Sequence, residues 1–132
     1  MSKTALILFA HGARDPEWAS PIRRVCSTVQ AQAPDLRVEP AFLEFIQPNF
    51  RDCAESLLLE GFERIIVLPM FMAQGGHLKQ DIPRLIEDLR ERYPRARFEL
   101  ACAVGEAESI VQAMAAHVLA LAGEQELTPR PA

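Results

Sequence analysis

The sequence predicts an open α/β fold built on a parallel sheet. Three observations carry that reading. Apolar runs of strand length alternate with stretches of helical periodicity along the chain. Two runs, residues 5–10 and 65–69, are continuous rather than alternating, as strands covered on both faces are. Each is followed by a histidine, His11 directly and His77 in the loop beyond Pro69. The order βαβαβαβα implies right-handed crossovers with helices on both faces. Open folds of this kind place their ligands at the carboxyl ends of the strands. His11 and His77 are therefore expected on one edge.

Taken in order, residues 4–10 form the first strand. Asp15-Pro16 reads as an N-cap followed by proline at the first helical position. Trp18, Ile22, Val25, Cys26 and Val29 then mark one apolar helix face, which should stop near Ala33-Pro34. Residues 36–42 form the second strand, with Leu43-Glu44-Phe45 continuing to its carboxyl end. Gln47-Pro48 opens the second helix, with Phe50, Ala54, Leu57 and Leu58 inward and Gly61 just past its end.

Residues 62–69, rich in β-branched side chains, form the third strand. The loop 70–79 is long for such a unit and holds Gly75-Gly76, so it is expected to be functional and mobile. Asp81-Ile82-Pro83 marks the third helix, with Asp81 as a candidate cap and Ile82, Leu85, Ile86 and Leu89 inward. It ends near Tyr93-Pro94. Residues 96–104 form the fourth strand and 105–122 the fourth helix, using Ile110, Met114, Val118 and Leu121. One domain over residues 1–123 and a flexible tail over 124–132 follow. Four strands leave exposed edges or faces, which a homodimer would relieve.

Composition narrows the function. The 132 residues suit one domain with a real core. Hydrophobic residues make up 49% and charged residues 24%, as in ordinary soluble proteins. A formal charge of -4 argues against a nucleic-acid partner. No apolar run reaches membrane-spanning length and no secretory signal is present, so a cytoplasmic protein is expected. Cys26, Cys53 and Cys102 form no CxxC and read as small buried or half-buried thiols. Nucleotide and acyl-transfer motifs are absent: there is no GxGxxG, GxxxxGK[ST] or GxSxG.

A single histidine without context is more often structural than functional, and His117 in the last helix is read that way. His11 and His77 differ because both sit beside glycines at the end of a strand. Two imidazoles on one edge with a carboxylate nearby suit a divalent transition metal. Glu44, at the end of the neighbouring strand, reads equally as that carboxylate or as a solvated strand end. Arg14, Lys79 and Arg84 each read singly as surface charge, but together they could bind ligand carboxylates. Met70, Phe71 and Met72 are apolar in a loop that should be wet. They read as core packing or as the lining of a site for a flat hydrophobic ligand.

Three stretches together resemble a known family. They are Ala10-His11-Gly12-Ala13-Arg14-Asp15-Pro16, then Ala41-Phe42-Leu43-Glu44, then residues 68–83 with Gly75-Gly76-His77 and Asp81-Ile82-Pro83. They are similar to the short CbiX/SirB-type class II chelatases, which insert a divalent metal into sirohydrochlorin. The likeness runs from about Thr4 to about Tyr93. It implies a flavodoxin-like chelatase fold and a homodimer, since larger relatives carry two such halves in one chain. It implies His11 and His77 as metal-binding and catalytic residues, with Glu44 assisting.

Arg14, Lys79, Met72, Gly75 and Gly76 are the ligand-binding candidates on this reading. No permanent cofactor is expected; Co²⁺, Fe²⁺ or Ni²⁺ would be a substrate. The chain departs from the family pattern where HGSR has become HGAR at Ala13. It departs again where a GxHP-like segment is replaced by Val104-Gly105-Glu106-Ala107-Glu108. Two other classes share parts of the pattern. A metal carrier without catalysis would use the same histidines. A histidine-phosphatase-like enzyme would want arginine, not Ala10, before His11.

Overall fold

The structure is a computed structural model that describes residues 3–123, with the backbone alone at 77 and 78. The expected tail over 124–132 lies outside the described residues. The elements are β1 (Lys3–Ala10), α1 (Ser20–Gln32), β2 (Arg37–Phe42), α2 (Phe50–Leu59), β3 (Phe62–Pro69), α3 (Gly76–Arg92), β4 (Arg97–Leu100) and α4 (Glu108–Gly123). Single 3-10 turns, Pro16–Ala19 and Val104–Glu106, precede α1 and α4. The sheet has the order β2-β1-β3-β4 and every pairing is parallel. The chain steps from β1 outward to β2, then crosses back over β1 to β3. That reversal makes the carboxyl edge around β1 the switch point where open sheets bind ligands.

Two apolar clusters hold the sheet. On one face Ile7, Phe9, Ile65 and Val67 pack under Phe50 and Leu57 of α2 and Ile82, Ile86 and Leu89 of α3. On the other Leu8, Ala10, Val38 and Phe42 pack under Ile22 of α1. Removing a fully buried Leu or Ile side chain from such a cluster typically costs about 2–5 kcal/mol. β1 is therefore buried on both faces from Ile7 to Ala10, as its continuous apolar run predicts.

β3 is not. Ile65, Val67 and Pro69 are buried but Ile66 and Leu68 are only half-buried. The reason is α4, which carries no buried residue and packs mainly on the short turn before it. The face of β3 and β4 that a fourth helix was expected to cover stays open.

Other boundaries move for local reasons. Asp15 does act as a cap, its carboxylate accepting from the Glu17 N–H at 3.0 Å, but the first turn is 3-10. Trp18 and Val25, expected inward, are 40% and 41% exposed. β2 stops at Phe42, so Leu43-Glu44-Phe45 lies beyond the strand. α2 starts after Pro48, at Phe50, with the Asn49 side chain accepting from the Asp52 N–H at 2.8 Å.

α3 begins at Gly76 rather than near Asp81, so the expected loop 70–79 is shorter and Asp81 is no cap. The leucine, lysine and glutamine at 78–80 favour helix. Pro83 lies inside it and lacks the N–H that would reach the Lys79 carbonyl. β4 is a four-residue edge strand, and its register with β3 ends at Val67↔Leu100. No described helix is long and apolar enough to cross a membrane.

The thiols divide by burial. Cys53 is buried in the first cluster and desolvation pushes its pKa up to about 12. Cys26 is half-buried and also raised, chiefly by desolvation and then by Glu39. Cys102, expected to be at least half-buried, is exposed. A thiol must ionise to react. Titration of the native protein with a disulfide reagent near pH 8 should find Cys102 reacting quickly and Cys53 only after denaturant is added.

Candidate active site at the strand ends

The site is built by the loops that leave β2, β1 and β3, in that spatial order. His11 follows β1, and its ring is half-exposed. Gly12 follows with φ +93, a conformation that side chains rarely adopt. A Cβ at position 12 would overlap the Glu44 carbonyl oxygen. The missing side chain thus lets the β2 loop lie directly against the β1 loop. Two backbone bonds extend the pairing past the strands, Leu43 N–H to the Ala10 carbonyl at 2.9 Å and Glu44 N–H to the His11 carbonyl at 3.1 Å. The outcome is a His11 Nδ1 to Glu44 Oε1 separation of 3.9 Å, with both side chains about half exposed. Sequence reasoning expects this neighbour pair.

Phe45 comes next and departs from expectation. It has φ +68, and the Ile46 N–H donates back to the Glu44 carbonyl at 2.8 Å. That bond closes a three-residue turn of the rare, strained hand. A bulky residue held there costs on the order of 1–3 kcal/mol. Phe45 is 59% exposed. The Arg14 guanidinium stands over its ring, 5.1 Å from the centroid.

On the β3 side, Met70 packs into the second cluster and Phe71 against the first. The Phe71 ring meets His11 edge-on, centroids 6.0 Å apart at 70°. Met72 alone of this apolar trio is open, at 69% exposed. So the stretch supplies both core packing and one exposed apolar group. Gly75 precedes α3 as its N-cap residue and Gly76 is its first residue, both exposed. His77 is the second residue of α3, which puts its backbone on the same edge; its side chain lies outside the described residues. Lys79 and Arg84 are exposed further along α3.

The divergent segment 104–108 contributes by holding the β3 loop. The Gly105 N–H donates to the Phe71 carbonyl at 2.9 Å, and a Cβ on Gly105 would overlap the Met72 backbone. The Glu106 carboxylate accepts from the Gln74 N–H at 3.3 Å. The lone Gly105, next to the expected end of the fourth strand at 104, was the available signal for this contact. His117 is exposed on α4.

Among the described residues no group of three His, Cys, Asp or Glu side chains converges on one point. His11 and Glu44 are together, and the third expected ligand is the undescribed His77 side chain. A cavity of about 430 Å³ lies at the opposite, amino end of the strands, lined by Leu58, Phe62, Tyr93 and Ala96. It holds none of the candidate residues, and ligand chemistry in open sheets sits at the carboxyl ends.

An imidazole and a carboxylate at a switch point, flanked by exposed apolar groups and a guanidinium, define an open α/β domain that presents donors to a ligand lying across its strand ends. The chain belongs to the CbiX family, whose model matches residues 5–120. A sirohydrochlorin cobaltochelatase of Priestia megaterium is 29% identical over 126 residues, covering 95% of this chain and 40% of its own length. A CbiX protein of Marinobacter aquaeolei VT8 shares the fold at TM-score 0.79 and 24% identity, over 90% of this chain and 97% of that one. SirB of Bacillus subtilis subspecies spizizenii, a sirohydrochlorin chelatase solved in complex with cobalt, gives TM-score 0.75 and 26% identity. The match covers 91% of this chain and 51% of that one. The chain thus spans about half the length of some of its relatives and nearly all of others. The flavodoxin-like, four-stranded parallel chelatase fold is the one observed.

Gly12→Ala should cost on the order of 2 kcal/mol, from the positive φ and the overlap with Glu44. Denaturant unfolding measures this. A Gly12→Ala variant as stable as wild type would show that the two loops are not locked together.

Proposed function

We propose that this protein is an ATP-independent chelatase that inserts a divalent metal into sirohydrochlorin, with Co²⁺ first and Fe²⁺ or Ni²⁺ as alternatives. The observation that carries the reading is the His11–Glu44 pair at the switch point of a CbiX-family fold. Metal insertion exchanges two pyrrolic protons for one ion. It needs an ion held loosely enough to leave, a proton acceptor and a surface that orients the ring. Imidazole and carboxylate donors suit these borderline metals. His11, His77 and Glu44 would form an incomplete donor set and leave positions for pyrrole nitrogens, unlike a closed structural site. Glu44 and the imidazoles are also the groups able to take the protons. Arg14 and Lys79 would meet the substrate's carboxylates, with Met72 and the Gly75-Gly76 backbone beside the ring. The metal is substrate here, and no resident cofactor is part of the reading.

A single chelatase domain over residues 1–123, a cytoplasmic location and no nucleic-acid or membrane partner complete the proposal. So does a homodimer. α4 supports it: a helix apolar all round is normally buried, yet Val118 and Leu119 are 63% and 71% exposed. The relatives of about twice this length support it too.

His77→Ala and His11→Ala should fold as wild type and lose Co²⁺ insertion, followed by the absorbance change of sirohydrochlorin. Full activity in either variant would overturn the assignment. A protein that binds Co²⁺ in equal proportion but does not speed insertion would be a carrier. Sedimentation at micromolar concentration should give a dimer that Leu119→Glu converts to monomer; a monomeric wild type would remove the dimer from the account.

A further inference from the structure

We propose that Phe45, with Arg14 over its face, is the platform that seats the macrocycle beside the metal-binding edge. This rests on the chelatase reading and names a substrate-orienting residue that reading does not contain. Three features of the β2 loop meet at Phe45. It directly follows Glu44, and the Arg14 over its ring comes from the loop that carries His11, so residue 45 belongs to the same pair of loops as the proposed donors. Its backbone is held at φ +68 by the Ile46 N–H to Glu44 carbonyl bond at 2.8 Å, a conformation glycine adopts far more readily. The strained turn sends a phenyl ring into water, 59% exposed, where the ring gains little burial in return. Bulky residues kept in rare backbone conformations cluster at ligand sites.

The surroundings fit a flat ligand with acidic substituents. The Arg14 guanidinium, 5.1 Å from the ring centroid, offers a planar fork for carboxylates at the rim of a stacked ring. In strand order Phe45 lies on one side of His11, and Phe71 and exposed Met72 lie on the other. A planar ring bridging those apolar groups would cross above the His11 imidazole. Aromatic pairs prefer such offset or edge contacts. The turn is fixed relative to His11 because Gly12 lets Glu44 in. Moving Phe45 would therefore move the platform relative to the donors.

The test compares wild type, Phe45→Gly, Phe45→Tyr and Arg14→Gln. The readouts are affinity for metal-free sirohydrochlorin by absorbance titration and its salt dependence, KM and kcat for Co²⁺ insertion, Co²⁺ binding without macrocycle, melting temperature and oligomeric state. Phe45→Gly should raise the macrocycle Kd and KM about three- to tenfold, the worth of one aromatic contact. Its melting temperature should stay level or rise, since glycine relieves the backbone. Co²⁺ binding without macrocycle should not change. Phe45→Tyr should stay within about twofold of wild type, and Arg14→Gln should weaken macrocycle binding and flatten its salt dependence. Wild-type macrocycle affinity in Phe45→Gly overturns the platform, as does a drop in melting temperature or a change in oligomeric state that accounts for the loss. Absence of insertion by wild type itself would instead overturn the chelatase reading.

Discussion

The close approach of Gly12 to Glu44 is the contact on which the site depends. Strand pairing brings β1 and β2 side by side, but pairing alone ends at Ala10 and Phe42. The two loops continue side by side beyond that point because position 12 has no side chain to strike the Glu44 carbonyl. From that contact follow the 3.9 Å approach of His11 to Glu44 and the turn at Phe45. The same device is used again on the other side, where Gly105 lets the fourth-strand loop press against Met72. Both are close backbone approaches, which is why the side chains they position can themselves stay half exposed and available to a ligand.

Much of this is legible in the sequence. The continuous run Ala5–Ala10 correctly marks a strand covered on both faces, because α1 packs on one side and α2 with α3 on the other. The same reasoning fails for residues 65–69, since apolar residues on the far face wait for a helix that does not settle there. Periodicity finds α4 but does not say whether its apolar residues meet this sheet or something else. Gly12 reads as turn chemistry, which is correct; its second role, admitting Glu44, depends on a strand distant in sequence rather than on local pattern. Phe45 reads as the end of a strand, yet the pairing has already stopped at Phe42.

The site is shallow and its donors come from neighbouring loops, an arrangement that suits delivery better than storage. A structural metal site encloses its ion with four ligands. Here an imidazole and a carboxylate stand at an open edge, with aromatic and methionine side chains around them and the backbone of His77 on the same edge. The exposed apolar helix and the open face of β3 and β4 are the counterpart of that economy: a unit of this size leaves surface that a second copy can cover.

The central claim is that a divalent metal is held at the strand ends by the two imidazoles and Glu44. Cobalt K-edge X-ray absorption on the Co²⁺-loaded protein tests it most directly. The account predicts a shell of nitrogen and oxygen donors with the outer-shell signature of two imidazole rings, reduced to one in His77→Ala. A sulfur shell from Cys102, or a wild-type spectrum without imidazole scattering, would contradict it.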